Sequence, residues 1–202
     1  MNVSAFIPIK KFSSSKNRLA NIITSPEREV LAASMAKKTI DTLHNSKICN
    51  SITVVTNDQS LHLDYATSYF TNSSLNDGLN EAIYTQTTND IILIMHADLP
   101  KINEPDLHEL AHSFDIKKVS IISDLSMQGT NCLMFNSAIS FDLKFGLNSY
   151  NLFMHEFKNN GLNYQDISIE SLQDDLDSEE DYFKLIKYIN TCLLYTSPSP
   201  RD

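Results

Sequence analysis

The chain has 202 residues, 42% of them hydrophobic and 20% charged, which is enough for one domain with a sizeable core and marginal for two. Its formal net charge of -9 argues against a broad nucleic-acid-binding surface, because phosphate backbones are bound by basic patches. No stretch approaches the roughly 18 apolar residues that a membrane span needs, and residues 1–11 lack the features of a signal peptide. Cys49, Cys132 and Cys192 have no metal-ligand spacing, which predicts reduced thiols in the cytoplasm.

Short apolar runs alternate with helical patterns along the chain. The first predicted strand is Val3–Ile9. Ser25-Pro26-Glu27 then offers an N-cap, a proline at the first helical position and an early acid for a helix that ends near Leu43. Two further strands are predicted at Ser51–Thr56 and Asp90–Met95, and the second of these is apolar enough to be buried on both faces.

The second half of the chain continues this alternation. Later strands are predicted at Val119–Ser123 and Asn131–Phe135. Helices are predicted to begin at Asn103-Glu104-Pro105, at Ser149 or Tyr150 with Gly161 as the stop signal, and after a Ser178–Asp181 capping box with an end near Ile189. Strands separated by helices imply right-handed crossovers, so we expect an α/β fold whose sheet is mostly parallel.

In such sheets, ligands collect beyond the carboxyl ends of the strands. That rule points to Pro8–Arg18, Thr56–Asp58 and Ala97–Pro100, which follow three of the predicted strands. The first of these loops carries Lys10, Lys16 and Arg18, whose cationic groups can bind a triphosphate. It lacks the glycines of a Walker A or dinucleotide-binding loop, so its side chains must do most of the binding.

Three aspartates are candidate metal ligands. Asp98 directly follows the most hydrophobic strand, where a carboxylate is well set to hold Mg²⁺. The alternative is a turn or helix-capping aspartate ahead of Pro100. Asp175 and Asp177 point the same way in an extended chain and could add a second metal contact, or they form an exposed acidic turn.

Two glycine-containing segments are candidate anion sites. They are Gly129-Thr130-Asn131 and the FGLNS segment, in which Gly146 precedes Ser149. Glycine permits a close backbone approach, and a hydroxyl at a helix N-terminus can bind an anion. Ordinary turns are the alternative for both segments.

Taken in order, these motifs resemble the 2-phospho-L-lactate and phosphoenolpyruvate guanylyltransferases of coenzyme F-420 biosynthesis. The segments that carry the resemblance are IPIKKFSSSKNRLA, DGLNEAI, HADLP, GTNCLMF, FGLNS and DLDSEED, in this order from residue 3 to about residue 189. The resemblance implies a Rossmann-like nucleotidyltransferase fold of the molybdenum-cofactor guanylyltransferase kind. It also implies transfer of GMP from GTP to a phosphorylated three-carbon acid, with release of pyrophosphate.

The resemblance assigns roles residue by residue. Catalysis is implied for Asp98, Lys16 and Arg18; binding of the phosphorylated acid for Thr130, Gly146 and Ser149; binding of the nucleotide for Lys10, Lys16, Arg18, Gly78 and Asn80; and binding of Mg²⁺ for Asp98, Asp175 and Asp177. The implied partners are GTP, the acid, a second copy of the chain in a homodimer, and an enzyme that receives the product and loads the deazaflavin. No nucleic-acid or membrane partner is expected.

The sequence departs from the family pattern at three positions. Phe153 stands where a histidine is expected, Glu179 where proline is usual, and Gln128 where a second glycine often precedes the GTN motif. Two alternatives therefore remain: a cytidylyl- or uridylyltransferase of the same fold, or a non-catalytic nucleotide-binding module. The sequence does not show which acid is the acceptor.

The segment Cys192–Asp202, CLLYTSPSPRD, resembles the translation of a transposase adapter used in preparing sequencing libraries. The alternative is a natural polar tail. We exclude this segment from fold reasoning and predict one domain over residues 1–191.

Overall fold

The computed structural model of the protein describes residues 2–86 and 91–194. Asp90, the first residue of the third predicted strand, lies outside these residues. Residues 195–202 of the predicted foreign tail also lie outside them. The last helix continues through residues 192–194. The domain boundary at residue 191 therefore stays a prediction.

Strands and helices alternate through most of the described chain. The strands are β1 (Val3–Ile9), β2 (Ser51–Thr56), β3 (Thr67–Phe70), β4 (Ile91–Met95), β5 (Val119–Ser123), β6 (Thr130–Asn136) and β7 (Tyr164–Asp166). The α-helices are α1 (Ser25–Ser46), α2 (Leu75–Gln86), α3 (Glu104–Ser113), α4 (Ser149–Asn159), α5 (Glu170–Gln173) and α6 (Glu179–Leu194). Short 3-10 turns at Phe12–Ser14 and Asn17–Leu19 follow β1.

The described strands form one seven-stranded sheet in the order β3-β2-β1-β4-β6-β5-β7. β6 runs antiparallel to both of its neighbours, β4 and β5, whereas the other pairs are parallel. This confirms the predicted α/β class with a mostly parallel sheet. Because β1, β2 and β4 are adjacent and parallel, the loops that follow them meet at one edge of the sheet.

Several predicted boundaries are confirmed and one cap is corrected. The predicted limits of β1, β2 and β5 agree with the structure. The N-cap of α1 is Thr24 rather than Ser25, because the Glu27 carboxylate accepts hydrogen bonds from the Thr24 N–H and hydroxyl, both at 2.7 Å. At α6 the predicted capping box is present, with the Asp181 carboxylate 2.8 Å from the Ser178 backbone nitrogen.

Four elements were not predicted from the sequence. β3 and β7 are short and partly exposed, so they lack the apolar run that marks a buried strand. The helix α5 spans four residues, too few for a periodic pattern. The helix α2 does have a start signal in the sequence, a serine followed three residues later by an acid. The Asp77 N–H donates to the Ser74 hydroxyl at 3.3 Å, and that hydroxyl donates to the Asp77 carboxylate at 2.6 Å.

Strand β4 shows why the sheet is covered on both faces. Ile91, Leu93 and Met95 belong to a core cluster with residues of α1 and α3. Ile92 and Ile94 belong to a second cluster on the opposite face, with residues of α2 and α4. An unbroken apolar strand is stable only when both faces are buried, as these are.

A third, smaller cluster attaches the last helix to the first. Leu31 and Met35 of α1 contact Leu176, Leu185 and Ile189, all of which are nearly inaccessible to solvent. This contact fixes the segment between α5 and α6, which contains Asp175 and Asp177. The apolar core therefore brings the segment with Asp175 and Asp177 to the edge of the sheet at which β1 and β4 end.

Phe153, the position where the family pattern has a histidine, belongs to the core in this protein. Its side chain has no solvent exposure. The ring centroid lies 5.2 Å from that of Phe145 and 5.7 Å from that of Phe157. The phenylalanine therefore contributes apolar packing beneath the FGLNS segment.

We predict that Phe153→Ala lowers the free energy of unfolding by about 3–5 kcal/mol, because it removes a buried aromatic ring and leaves a cavity. Leu152→Ala is the matched control: this neighbouring side chain is 44% exposed, and its loss should change stability by about 0.5 kcal/mol or less. Chemical denaturation of both variants measures the difference. Equal stabilities would contradict the packing role of Phe153.

Candidate active site

A cleft of about 550 Å³ opens at the edge of the sheet where β1, β2 and β4 end. Its walls come from the loop after β1, the residues that follow β2 and β3, the start of α2, and the HADLP segment after β4. Lys10, Lys16, Arg18, Gly78 and Asp98, all predicted from the sequence, line it. This size suits a ligand as large as a nucleotide.

The three predicted metal ligands lie together. Asp98, Asp175 and Asp177 each offer a carboxylate oxygen, and these oxygens all lie within 4.8 Å of one another. The backbone explains the arrangement: the Leu176 N–H donates to the Asp98 carbonyl at 3.0 Å, and the Leu176 side chain enters the third core cluster. The aspartates on either side of Leu176 therefore both turn toward Asp98.

Lys16 occupies the same cluster. Its Nζ lies 2.6 Å from the Asp98 carboxylate and 3.5 Å from that of Asp177, and it also donates to the Leu176 carbonyl. The backbone of Lys16 is in the left-handed region, with φ of 53°, which is uncommon for a residue other than glycine. Arg18 is more exposed, and its guanidinium lies 3.4 Å from Asp177.

Burial and charge oppose each other at the ion pair of Lys16 and Asp98. Burial would lower the pKa of Lys16, but Asp98 and Asp177 outweigh it and raise that pKa above its usual value. Burial would likewise raise the pKa of Asp98, but Lys16, with a further contribution from His96, holds that pKa below its usual value. Both groups are therefore charged at neutral pH.

Asp175 differs because its nearest charged neighbours are mostly negative. Burial is the main cause, followed by Asp98 and Asp177, of a rise in the pKa of Asp175 to about 7. In addition, Oδ1 of Asp98 is buried and has no hydrogen-bond partner among the described residues. Surplus negative charge and a buried carboxylate oxygen without a partner are what a divalent cation would satisfy, so this set of oxygen donors fits Mg²⁺.

The residues predicted to bind the acid make a second candidate site, and none of them is among the residues that line the cleft. The Ser149 N–H donates to the Gly146 carbonyl at 3.2 Å, and the Tyr150 N–H donates to the Gln128 carbonyl at 3.1 Å. The first bond closes the turn within FGLNS, and the second joins the start of α4 to the residue that precedes the GTN segment. Thr130 is 1% exposed, and its hydroxyl is buried without a hydrogen-bond partner among the described residues.

A β-bulge turns Thr130 toward this second site. The pairing of β5 with β6 shifts between Ile122 and Ser123, so Asn131 is the extra residue on β6. Asn131 donates to the carbonyls of Leu172 and Gln173, on the face that carries α5. Strand alternation then points Thr130 to the opposite face.

Two residues that sequence reasoning missed connect the sites. His96 lines the cleft, and its ring centroid lies 5.6 Å from that of Phe145. The side chain of Asn76 accepts from the Phe145 N–H at 2.9 Å and donates to the Phe145 carbonyl at 3.0 Å. The HADLP and DGLNEAI segments pointed to this region, but no sequence pattern shows that Asn76 contacts the backbone of FGLNS.

The DGLNEAI segment contributes unequally to the cleft. A Cβ at Gly78, which lines the cleft, would lie 2.8 Å from the Thr71 side chain, so a larger residue here would displace that side chain. Asn80, which we also expected to bind the nucleotide, is exposed and does not line the cleft. Two helical positions separated by one residue point to different sides of a helix, which explains the difference.

The sequence model of the family described as "Guanylyl transferase CofC like" matches residues 3–191 of the chain. The chain belongs to this family. The range covers every candidate site residue named above. The family assignment therefore agrees with the resemblance carried by the motifs, and it confirms the predicted class of nucleotidyltransferase.

Relatives that are named as guanylyltransferases align with most of this chain. A phosphoenolpyruvate guanylyltransferase of Sphaerobacter thermophilus is 23% identical over 195 residues, covering 92% of this chain and 93% of the relative. A 2-phospho-L-lactate guanylyltransferase of Methanobrevibacter smithii is 28% identical over 193 residues, covering 92% of this chain and 84% of the relative. Both names agree with the families to which the motifs pointed.

The fold is also that of solved nucleotidyltransferases. The structure of a nucleotidyl transferase from Methanothermobacter thermautotroptrophicus is similar, with a TM-score of 0.63 at 14% sequence identity. The similarity covers 94% of this chain and 99% of that chain. At this identity it establishes the fold alone, which confirms the predicted fold. Within the described ranges, no helix is both long and apolar enough to cross a membrane.

We predict that Asp175→Asn stabilises the metal-free protein at pH 8. The folded pKa of about 7 exceeds the ordinary value of 3.8, so the folded state binds more protons between these values and loses stability as pH rises through them. Removing the charge should raise the free energy of unfolding by on the order of 1 kcal/mol at pH 8, less near pH 4.

Thermal unfolding in the presence of a chelator, at pH 4 to 8, measures this effect. Glu180→Gln, an exposed charge change in the first turn of α6, is the control and should show no such pH-dependent gain. A variant Asp175→Asn that is less stable than the unmodified protein at pH 8 would contradict the repulsion among the three carboxylates.

Proposed function

We propose that the protein transfers GMP from GTP to a phosphorylated three-carbon acid, phosphoenolpyruvate or 2-phospho-L-lactate, with release of pyrophosphate. The observation that carries this proposal is the pair of sites at the end of β4. One combines cations with a carboxylate cluster, and the other has Thr130 at the start of β6 and Ser149 at the start of α4. The names of the relatives supply the substrates.

The cleft is suited to the nucleotide. Lys10, Lys16 and Arg18 supply positive charge along one wall, and Gly78 of α2 lines the same cleft. Guanine specificity follows from family membership rather than from an identifiable base-binding residue. A panel of GTP, CTP and UTP, followed by pyrophosphate release, tests it, and a preference for CTP or UTP would favour the sister activity of the same fold.

Asp98, Asp175 and Asp177 would hold Mg²⁺, which when bound neutralises phosphate charge and orients the triphosphate. Lys16 is already held against this cluster by Asp98 and the Leu176 carbonyl, so its ammonium has a fixed position beside the phosphates. Arg18, at the mouth of the cleft, adds a second cation for the negative charge that develops on the leaving pyrophosphate.

The reaction requires alignment more than acid–base catalysis. A phosphate monoester has a second pKa of about 6, so the acceptor oxygen is mostly ionised at neutral pH. That oxygen forms a bond to the α-phosphorus of GTP while the bond to the bridging oxygen of the pyrophosphate breaks. The protein holds the two reactants in line and stabilises the departing charge.

The second site is suited to the acceptor acid. The hydroxyl of Thr130 is buried without a hydrogen-bond partner in the described part of the chain, so it can donate to the acid, and Ser149 is the first residue of α4. The dipole of a helix N-terminus favours a carboxylate or a phosphate beside it. Gly146 has φ of 133°, a backbone conformation that residues other than glycine rarely adopt. Glycine at this position therefore allows the turn that precedes Ser149.

The replacement of the expected histidine by Phe153 was the sequence feature that favoured a non-catalytic binding module. Because Phe153 is a core residue, its identity reflects packing beneath the acceptor site rather than a missing catalytic group. The carboxylate cluster and Thr130 are both in place. These observations favour the enzyme over the binding module.

We further propose that the reaction takes place in the cytoplasm, which the free thiols of Cys49 and Cys132 support. Delivery of the product to an enzyme that loads the deazaflavin, and assembly into a homodimer, are predictions that rest on the family resemblance. Co-purification and sedimentation measurements, respectively, test them.

Asp98→Asn should lower kcat by about 10²-fold or more while leaving the fold intact, because it removes a charged group at the phosphates. Asp115→Asn, a surface change in the segment before β5, should leave kcat unchanged. Pyrophosphate release with GTP, Mg²⁺ and each acid in turn provides the measurement. Near-normal activity of Asp98→Asn at low Mg²⁺ would refute the assignment.

Thr130→Val should weaken use of the acid and spare GTP. The change keeps the shape of the side chain but removes a hydrogen bond to a charged group, worth roughly 1.5–3 kcal/mol, or about ten- to a hundred-and-fifty-fold in kcat/KM for the acid. GTP binding, measured by calorimetry without the acid, should scarcely change. Weaker GTP binding with unchanged use of the acid would show that Thr130 contacts the nucleotide and not the acid.

A further inference from the structure

Asp174, the residue directly before Asp175, is the centre of a buried ionic cluster outside the cleft. Its side chain is 3% exposed and forms ion pairs with Lys101, at 2.5 Å, and with Lys184. Lys101 also pairs with Glu170 at 2.6 Å. The cluster is thus built from the loop after β4, the start of α5 and the helix α6.

The position of these residues relates the cluster to the three carboxylates. Lys101 belongs to the same loop as Asp98, and Asp174 adjoins Asp175. The Lys101–Asp174 pair therefore links the two backbone segments that carry the candidate metal ligands. The third residue, Lys184, lies on α6 and pairs with the Asp174 carboxylate. The apolar face of α6 packs against α1.

Without this link, repulsion would separate the two segments. Asp98, Asp175 and Asp177 carry like charges within 4.8 Å, and Lys16 is the cation held among them. A buried carboxylate is stable only when it is paired, so loss of either lysine leaves Asp174 under-compensated and favours movement of its segment toward solvent. Such a movement would displace Asp175 and Asp177 from Asp98.

We propose that Lys101, Asp174 and Lys184 act as a positioning group that holds Asp175 and Asp177 in register with Asp98 for a divalent cation. This inference rests on the proposed function, because it requires that the carboxylates bind metal. None of the three residues lines the cleft or belongs to the carboxylate cluster. Its effect is on the affinity for metal, in the way that residues behind a metal ligand commonly change affinity by about 10–100-fold.

The test is a titration of the whole protein with Mn²⁺ alone, followed by electron paramagnetic resonance, for the unmodified protein and the variants Lys101→Met and Lys184→Met. Both variants should bind Mn²⁺ about ten-fold more weakly or worse. In assays, their Mg²⁺ activation constant should rise by a similar factor, while kcat at saturating Mg²⁺ and KM for GTP stay within about two-fold. Lys101→Arg, which keeps the charge, should restore much of the affinity.

Lys37→Met is the matched control. Lys37 forms an ion pair with Asp41 at 2.7 Å within α1, separate from the ion pairs of the cluster around Asp174. Its loss should leave Mn²⁺ affinity unchanged. A purely structural role for the cluster would lower the melting temperature of Lys101→Met and Lys184→Met without changing the Mn²⁺ affinity of the folded fraction.

Unchanged Mn²⁺ affinity in both lysine variants would overturn the inference and leave the proposed function standing. If Lys101→Met does not fold, Lys184→Met decides the matter, because its side chain is 46% exposed and tolerates change. Failure of the unmodified protein to bind Mn²⁺ would instead refute the metal site, and the inference would fall with it. The two failures are therefore distinguishable.

Discussion

The central constraint of this structure is the close approach of three carboxylates, from Asp98, Asp175 and Asp177. Like charges at this distance repel, and the rise in the pKa of Asp175 to about 7 reflects burial together with that repulsion. Apolar packing supplies the opposing force: Leu176, between two of the aspartates, is buried against α1 and α6. The hydrophobic core thus maintains a local charge arrangement that a cation would stabilise.

Strand β4 organises both candidate sites. Its five apolar residues are buried on the two faces of the sheet, and the residues that follow it enter the cleft. The neighbouring strand β6 is the antiparallel one, so its first residue, Thr130, lies near the end of β4. The reversal of β6 is therefore what brings an acceptor site beside a nucleotide cleft, and the bulge at Asn131 directs Thr130 into it.

The sequence predicted much of the site because strand ends can be located from apolar runs. A mostly parallel sheet implied that the loops with Lys16 and Asp98 lie at the carboxyl ends of its strands, and the two side chains do meet there. The even spacing of Asp175 and Asp177 correctly implied a shared direction. Asn80 shows the limit of this reasoning, since membership of a motif does not determine which side of a helix a residue occupies.

By itself, the sequence determined the α/β class, the positions of the buried strands and of most helices, and the family, because these depend on local periodicity, caps and ordered motifs. Only the tertiary structure decided that Phe153 is a core residue, that Asn76 contacts the backbone of Phe145, and that Lys101 and Lys184 pair with Asp174. These contacts join distant parts of the chain. They depend on the strand order and on where α6 packs, which no local pattern encodes.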